Sequence, residues 1–158
     1  KGVPDLTDKD WLYGGDPETI VATITNGRTA MMPACGKILG DEATHNLADY
    51  VASLSGATHD AARAAHGKEL FANTCVACHG PEGKGNPAMG APNLTDAIWL
   101  YGGDRDSLTR TVTDSHQGVM PRWGNQLDDT TIKMLAVYVH SLGGGEAAAP
   151  AEPETAGR

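Results

Sequence analysis

Apolar side chains recur at helical spacing through "DDTTIKMLAVYVHSL" (residues 128–142), where Ile132, Leu135, Ala136, Val139 and Leu142 share one face behind an acidic start that can cap the first turn. The spacing predicts a helix there, and "DEATHNLADYVASL" (41–54) repeats the pattern. "DAARAAHGKELFANT" (60–74) sets Ala, Leu and Phe at the same period and runs into a pair of cysteines, so it reads as a third helix. Two shorter ones follow from "DPETIVATITN" (16–26), with Pro17 in its first turn, and "DRDSLTRTVTD" (104–114). Glycine, proline and asparagine break the pattern in "GPEGKGNPAMGAPN" (80–93), which reads as loop. The expected class is all-α with long loops, ending in a disordered tail over 144–158 that has almost nothing to bury.

The hydrophobic pattern repeats because the chain does. Shifted by 88 positions, "PDLTDKDWLYGGD" (4–16) falls on "PNLTDAIWLYGGD" (92–104), "TITNGRTAMMPACG" (23–36) on "TVTDSHQGVMPRWG" (111–124), and "LADYVASLS" (47–55) on "LAVYVHSLG" (135–143). Roughly two-fifths of the overlapped positions are identical, without a gap. The second copy is preceded by about 30 residues that the first lacks. The expected organisation is therefore residues 1–55 as the later part of a first unit, 56–59 as linker and 60–143 as a complete unit. In the complete unit Gly67 and Phe71 are expected to cross the last helix near Leu135 and Tyr138, which leaves Leu47, Tyr50, Val51 and Leu54 of the first without a partner surface.

Composition narrows the partners. Twenty acidic residues against 12 basic give a net charge of -8, which argues against nucleic acid and anionic membrane faces and favours a cationic partner. No apolar run reaches the roughly 18 residues of a membrane span, so anchoring is expected only through a segment outside this sequence.

The residues that the second unit alone carries hold the chemistry. "CVACH" (75–79) is the attachment signature of c-type haem: two thiols reach the two vinyl groups of one porphyrin edge while the next imidazole arrives under the iron. A zinc site would need a second ligand pair, and a thioredoxin-like pair would begin a helix rather than follow one; Cys35, the remaining cysteine, is read as an inert thiol. For the sixth iron position the repeat selects Met120, because only the Met-Pro pair recurs, as Met32 and Pro33, in the first copy. Met32 would serve a haem of the first unit if one is bound. A core methionine is the alternative for Met120, and His116, four residues away, the rival ligand. Pro92 is the candidate to hold the other ring nitrogen of His79 through its carbonyl. Leu94, Trp99, Tyr101 and Trp123 are candidates for the pocket wall, or equally for ordinary core.

"CVACHGPEGKGNPAMGAPNLTD", the paired "WLYGG" and "MP" ahead of "AxYVxSL" resemble class I cytochrome c domains, and closely resemble the tandem di-haem subunit III of cbb3-type haem-copper oxidases. The resemblance covers residues 1–143. It implies a class I cytochrome c fold in tandem, the first copy lacking its haem-attachment half, and covalent haem c with His79 and Met120 as axial ligands. It further implies a subunit without a catalytic site of its own, on the periplasmic side of the bacterial inner membrane. There it would relay electrons from a soluble donor cytochrome c to the oxidase core subunits. A free periplasmic di-haem carrier is the alternative within the class; a haem-based sensor or peroxidase-like enzyme is the alternative outside it.

Overall fold

The computed structural model describes residues 3–143, so the expected disordered tail lies outside the described residues. Along the chain run α1 (Pro17–Asn26), β1 (Arg28–Met31), α2 (Gly36–Leu39), α3 (Asp41–Leu54), α4 (Ala61–Thr74), α5 (Val76–His79), α6 (Arg105–Asp114), β2 (Gln117–Met120) and α7 (Asp129–Ser141), with a 3-10 turn at Pro87–Met89. Four of the longer helices start on an aspartate whose Oδ1 accepts a backbone N–H of the first turn: Asp16 from Thr19 at 2.8 Å, Asp60 from Ala62 at 2.9 Å, Asp104 from Ser107 at 2.9 Å and Asp128 from Thr131 at 3.0 Å. Each cap satisfies a donor that the helix itself leaves unpaired, which is why the boundaries follow the sequence pattern so closely.

The all-α expectation is corrected by a small antiparallel sheet, in which Arg28 pairs with Met120 and Met31 with Gln117. Each strand has four residues, too few for an alternating pattern to stand out in the sequence. The pairing places the segment after each strand on the helix of the other repeat. The N–H groups of Met32 and Cys35 donate to the carbonyls of His116 (3.1 Å) and Val112 (3.0 Å), at and just after α6. Those of Trp123 and Gly124 donate to Ile24 and Thr25 of α1, both at 3.0 Å. Gly27 makes the second docking possible: its φ is +68°, and a Cβ there would lie 2.8 Å from the Arg122 nitrogen.

Two cores result. Ile20 and Ile24 of α1 pack with Ile132 and Ala136 of α7. The larger core joins Leu47, Ala48, Val51 and Ala52 of α3 to Phe71 of α4, Leu94, and Leu108 and Val112 of α6. The expected crossing of Gly67 and Phe71 on the last helix is thus overturned: a Cβ at Gly67 would collide with the Asn46 carbonyl and lie 2.8 Å from Tyr50 Cβ, and Phe71 meets the Tyr50 ring edge-on at 5.2 Å between centroids. Leu135 and Tyr138 stay exposed, at 39% and 62%, while Leu47 and Val51, expected to lack a partner, are buried.

Two physical reasons favour α3 over its repeat α7. The connection from α3 to α4 is short, and short connections make antiparallel neighbours. In addition, Asp49 is fully buried, accepts the Asp60 N–H at 3.1 Å, and is bridged by Arg105 Nη2 at 3.1 Å; the matching residue of α7 is Val137, which can do neither.

Three outcomes follow for the chain in urea titrations. Tyr50→Ala is expected to lower stability by about 3 kcal/mol, whereas Tyr138→Ala changes it by under about 0.5 kcal/mol; equal losses would mean that α4 divides its packing between the two helices. Arg105→Ala is expected to cost about 3 kcal/mol because it strands a carboxylate without solvent. Asp49→Ala should cost less, about 1–2 kcal/mol, since the guanidinium it releases is already 44% exposed. The third outcome concerns acid. Hydrogen bonds hold the Asp16, Asp104 and Asp128 carboxyls below the ordinary aspartate range, to the Thr19 side chain and N–H, the Ser107 side chain and N–H, and the Thr131 N–H and side chain respectively. Their stabilisation is complete above the unfolded value of about 3.9 and fades as pH falls through the depressed folded values. The triple Asp→Asn variant should therefore lose less stability than the parent between about pH 5 and pH 2, measured as the shift in urea midpoint.

Candidate haem attachment site

Phe71 closes α4 by accepting the Cys75 N–H at 2.9 Å, and Cys75 in turn accepts the His79 N–H at 2.9 Å, so α5 is a single turn following directly on α4. Residues three and four apart on a helix share a face. Cys75, Cys78 and His79 therefore project together; all three are half-buried, and both thiols are free. The chain leaves this turn at Gly80, with φ +75°, and folds back so that the Pro92 carbonyl accepts from His79 Nδ1 at 3.2 Å. A carbonyl only accepts, so the proton sits on Nδ1 and the Nε2 lone pair is left available.

The loop that presents Pro92 is tightly built. The Leu94 N–H donates to Gly83 at 2.7 Å, Asn86 and Ala91 exchange a bridge pair, and a Cβ at Gly85, where φ is +80°, would lie 2.6 Å from the Pro92 carbonyl carbon. Burial lowers the His79 pKa against the opposing effect of the Pro92 bond, which favours the neutral, ligating imidazole. Burial also raises the Cys75 thiol, opposed by the Thr74 hydrogen bond and reinforced by the thiols of Cys35 and Cys78. Paired thiols on one helical turn and an imidazole fixed at Nδ1 with Nε2 open fit the attachment side of a c-type haem. Among the described residues no group of three or more His, Cys, Asp or Glu is arranged to hold a metal ion.

The other sequence candidates divide. Leu94 is buried in the larger core and Trp99 packs against that core. Tyr101 stacks on His116 at 3.6 Å between ring centroids and 6° between planes, and His116 Nε2 shares a hydrogen bond with Thr111 Oγ1 at 3.1 Å, so the rival histidine is already engaged. Trp123 is 39% exposed and its backbone is tied to α1. Met120 lies on β2 opposite Arg28, at 37% exposure. Met32, Cys35 and Leu39 pack against the larger core, as do Cys75 and Val76. Nothing in the spacing of the sequence announced this neighbourhood, because Cys35 and Cys75 are joined only through the α3–α4 hairpin.

A family model described as cytochrome C oxidase, cbb3-type, subunit III matches residues 62–139. Among curated proteins, the cbb3-type cytochrome c oxidase subunit CcoP of Cereibacter sphaeroides is 49% identical over 156 residues, covering 92% of this chain and 54% of the relative. The FixP subunits of Azorhizobium caulinodans and of Bradyrhizobium sp. (strain ORS 278) are 50% and 51% identical over 155 and 157 residues, covering 92% of this chain and 53% and 54% of those proteins. The chain thus spans about half the length of the curated relatives it matches. With an attachment motif built as above and such identity across nearly all of its length, the chain belongs to the family of subunit III of cbb3-type cytochrome c oxidases.

Proposed function

We propose that the chain relays electrons within a cbb3-type oxidase through one haem c bound by thioethers to Cys75 and Cys78, with His79 on the iron. The observation that carries this reading is the anchored imidazole: His79 Nδ1 on the Pro92 carbonyl, one turn of helix from two free thiols. A bound haem c supplies reversible one-electron chemistry at iron, at a potential that the axial ligands and burial set. The protein's part is to orient and to dry. The Pro92 carbonyl fixes the plane of the imidazole and strengthens its basicity, α5 holds the attachment sulfurs, and Leu94 and Trp99 exclude water from one side. No step here asks for a substrate pocket, so the oxygen chemistry is assigned to the core subunits.

The repeat supports descent from two cytochrome c units, over 1–55 and 60–143 with 56–59 between them, of which only the second carries an attachment motif. We place the chain on the periplasmic side of the bacterial inner membrane, between a soluble donor cytochrome c and the oxidase core. Among the described residues no helix is long and apolar enough to cross the membrane. The net charge of -8 suits a basic donor.

Co-expression with haem-attachment machinery tests the first claim. The intact mass should exceed that of the polypeptide by one haem, and the Cys75→Ser, Cys78→Ser double variant should return it to the polypeptide mass; an unmodified parent chain would remove the basis of the proposal. For the donor, stopped-flow reduction by a basic cytochrome c should slow by roughly tenfold as ionic strength rises from about 0.01 to 0.2 M. A rate indifferent to salt would show that charge does not steer the encounter.

A further inference from the structure

The first repeat carries no attachment motif in this chain, yet one of its side chains bears on the loop that holds His79. Tyr13, in the "WLYGG" turn, sets its phenol edge against Gly90: a Cβ at Gly90 would collide with Tyr13 Cζ and lie 2.6 Å from Cε1. Gly90 has φ +65° and closes the 3-10 turn Pro87–Met89 by donating its N–H to the Pro87 carbonyl at 3.2 Å. Two residues further on, the Pro92 carbonyl takes the His79 Nδ1 proton. The loop between them has little slack. Asn86 and Ala91 are bonded in both directions, at 2.9 and 3.1 Å, and the Gly85 N–H is tied to the His79 carbonyl at 2.8 Å.

Tyr13 is itself held from behind. The Arg28 guanidinium lies over its ring, 4.3 Å from the centroid, and Arg28 Nε donates to Thr23 Oγ1 at 2.9 Å. Shifted by 88 positions, Tyr13, Arg28 and Thr23 become Tyr101, His116 and Thr111, and these make the same arrangement: a ring stack at 3.6 Å and a hydrogen bond at 3.1 Å. A planar group anchored on threonine and backing a tyrosine is therefore built in both copies. In the first copy it turns the tyrosine on the attachment loop of the second. Nearby the turn and the loop stand apart, across a cavity of about 260 Å³ lined by Lys9, Trp11, Gly14, Lys84, Pro87 and Pro92, so the Tyr13 ring is a strut beside an open gap. The strut works by shape. Among the described residues Tyr13 Oη is buried without a hydrogen-bond partner, so the ring, and not a bond from its hydroxyl, sets the contact.

We infer that Tyr13 is a positioning residue for His79: its ring braces Gly90 and thereby holds the Pro92 carbonyl on Nδ1. Releasing the brace lets that carbonyl move off the imidazole. The ring nitrogen on the iron then becomes less basic, which favours ferrous iron and raises the potential. The inference rests on the reading of Cys75, Cys78 and His79 as a haem attachment site, and its test separates the two.

The haem-loaded 158-residue chain is compared with Tyr13→Leu and Tyr13→Phe. A parent whose intact mass shows no haem would overturn the attachment reading itself. In Tyr13→Leu the His79 Nδ1 proton, followed by NMR, should exchange with solvent roughly tenfold faster, as expected for the loss of about one hydrogen bond, and the reduction potential should rise. Tyr13→Phe keeps the ring and its stack under Arg28, and should match the parent in both readouts. A Leu variant indistinguishable from the parent, or a Phe variant altered as much as the Leu variant, overturns the inference.

A further measurement needs no variant. In the reduced parent protein, nuclear Overhauser cross-peaks should join the Tyr13 ring protons to the Gly90 α-protons. Their absence would remove the contact through which Tyr13 is held to act, and the inference with it.

Discussion

The close crossing of α3 and α4 at Gly67 is the contact from which the rest of the site follows. Absence of a side chain at Gly67 lets the backbone of α4 reach the Asn46 carbonyl region and Tyr50 of α3. At that separation Phe71 drops fully into the gap, 2% exposed, against the edge of the Tyr50 ring. Burying such a ring is worth about 2–3 kcal/mol. More important is direction. Phe71 accepts the Cys75 N–H, so wherever the crossing fixes Phe71 it also fixes the first residue of the attachment turn, and through Cys75 the backbone of His79. Pro92 then needs only a short, glycine-permitted loop to find the imidazole. The glycines at 80 and 85 have left-handed φ for this purpose, since their backbone path would strain any residue with a Cβ.

Much of this was legible in the sequence. Aspartates at 16, 60, 104 and 128 announce helix starts because a side-chain oxygen there has a local, predictable partner. The motif at 75–79 and the Pro92 carbonyl are legible for a related reason: contiguous residues on one turn, and one loop returning to them. What the sequence hid is long-range. Leu47, Ala48, Tyr50 and Val51 repeat as Leu135, Ala136, Tyr138 and Val139, so an apolar face suited to α4 is written twice, and hydrophobic pattern alone has no means of choosing between them. The two Met-Pro segments are ambiguous in the same way. The four-residue strands that carry the exchange, too short for a period to register, add nothing before the fold is known.

A duplicated chain that must place one leading helix on one of two similar partners needs a feature that differs between the copies, and the buried polar groups supply it. Apolar contacts are tolerant: exchanging one helix for its repeat alters buried area little, and area sets the hydrophobic gain. A fully buried carboxylate is intolerant. Asp49 is stable in its position only while the Asp60 N–H and the Arg105 guanidinium are both present, and those groups come from the start of α4 and of α6, so the carboxylate recognises the correct neighbours simultaneously. Placed on α7, α4 would face Val137 where α3 offers Asp49, so the Asp60 N–H would lose its carboxylate acceptor. Losing a hydrogen bond to a charged group costs about 1.5–3 kcal/mol, roughly ten- to a hundred-fold in the equilibrium between the two pairings. Specificity of this kind is set by the penalty on the wrong arrangement rather than by extra attraction in the right one.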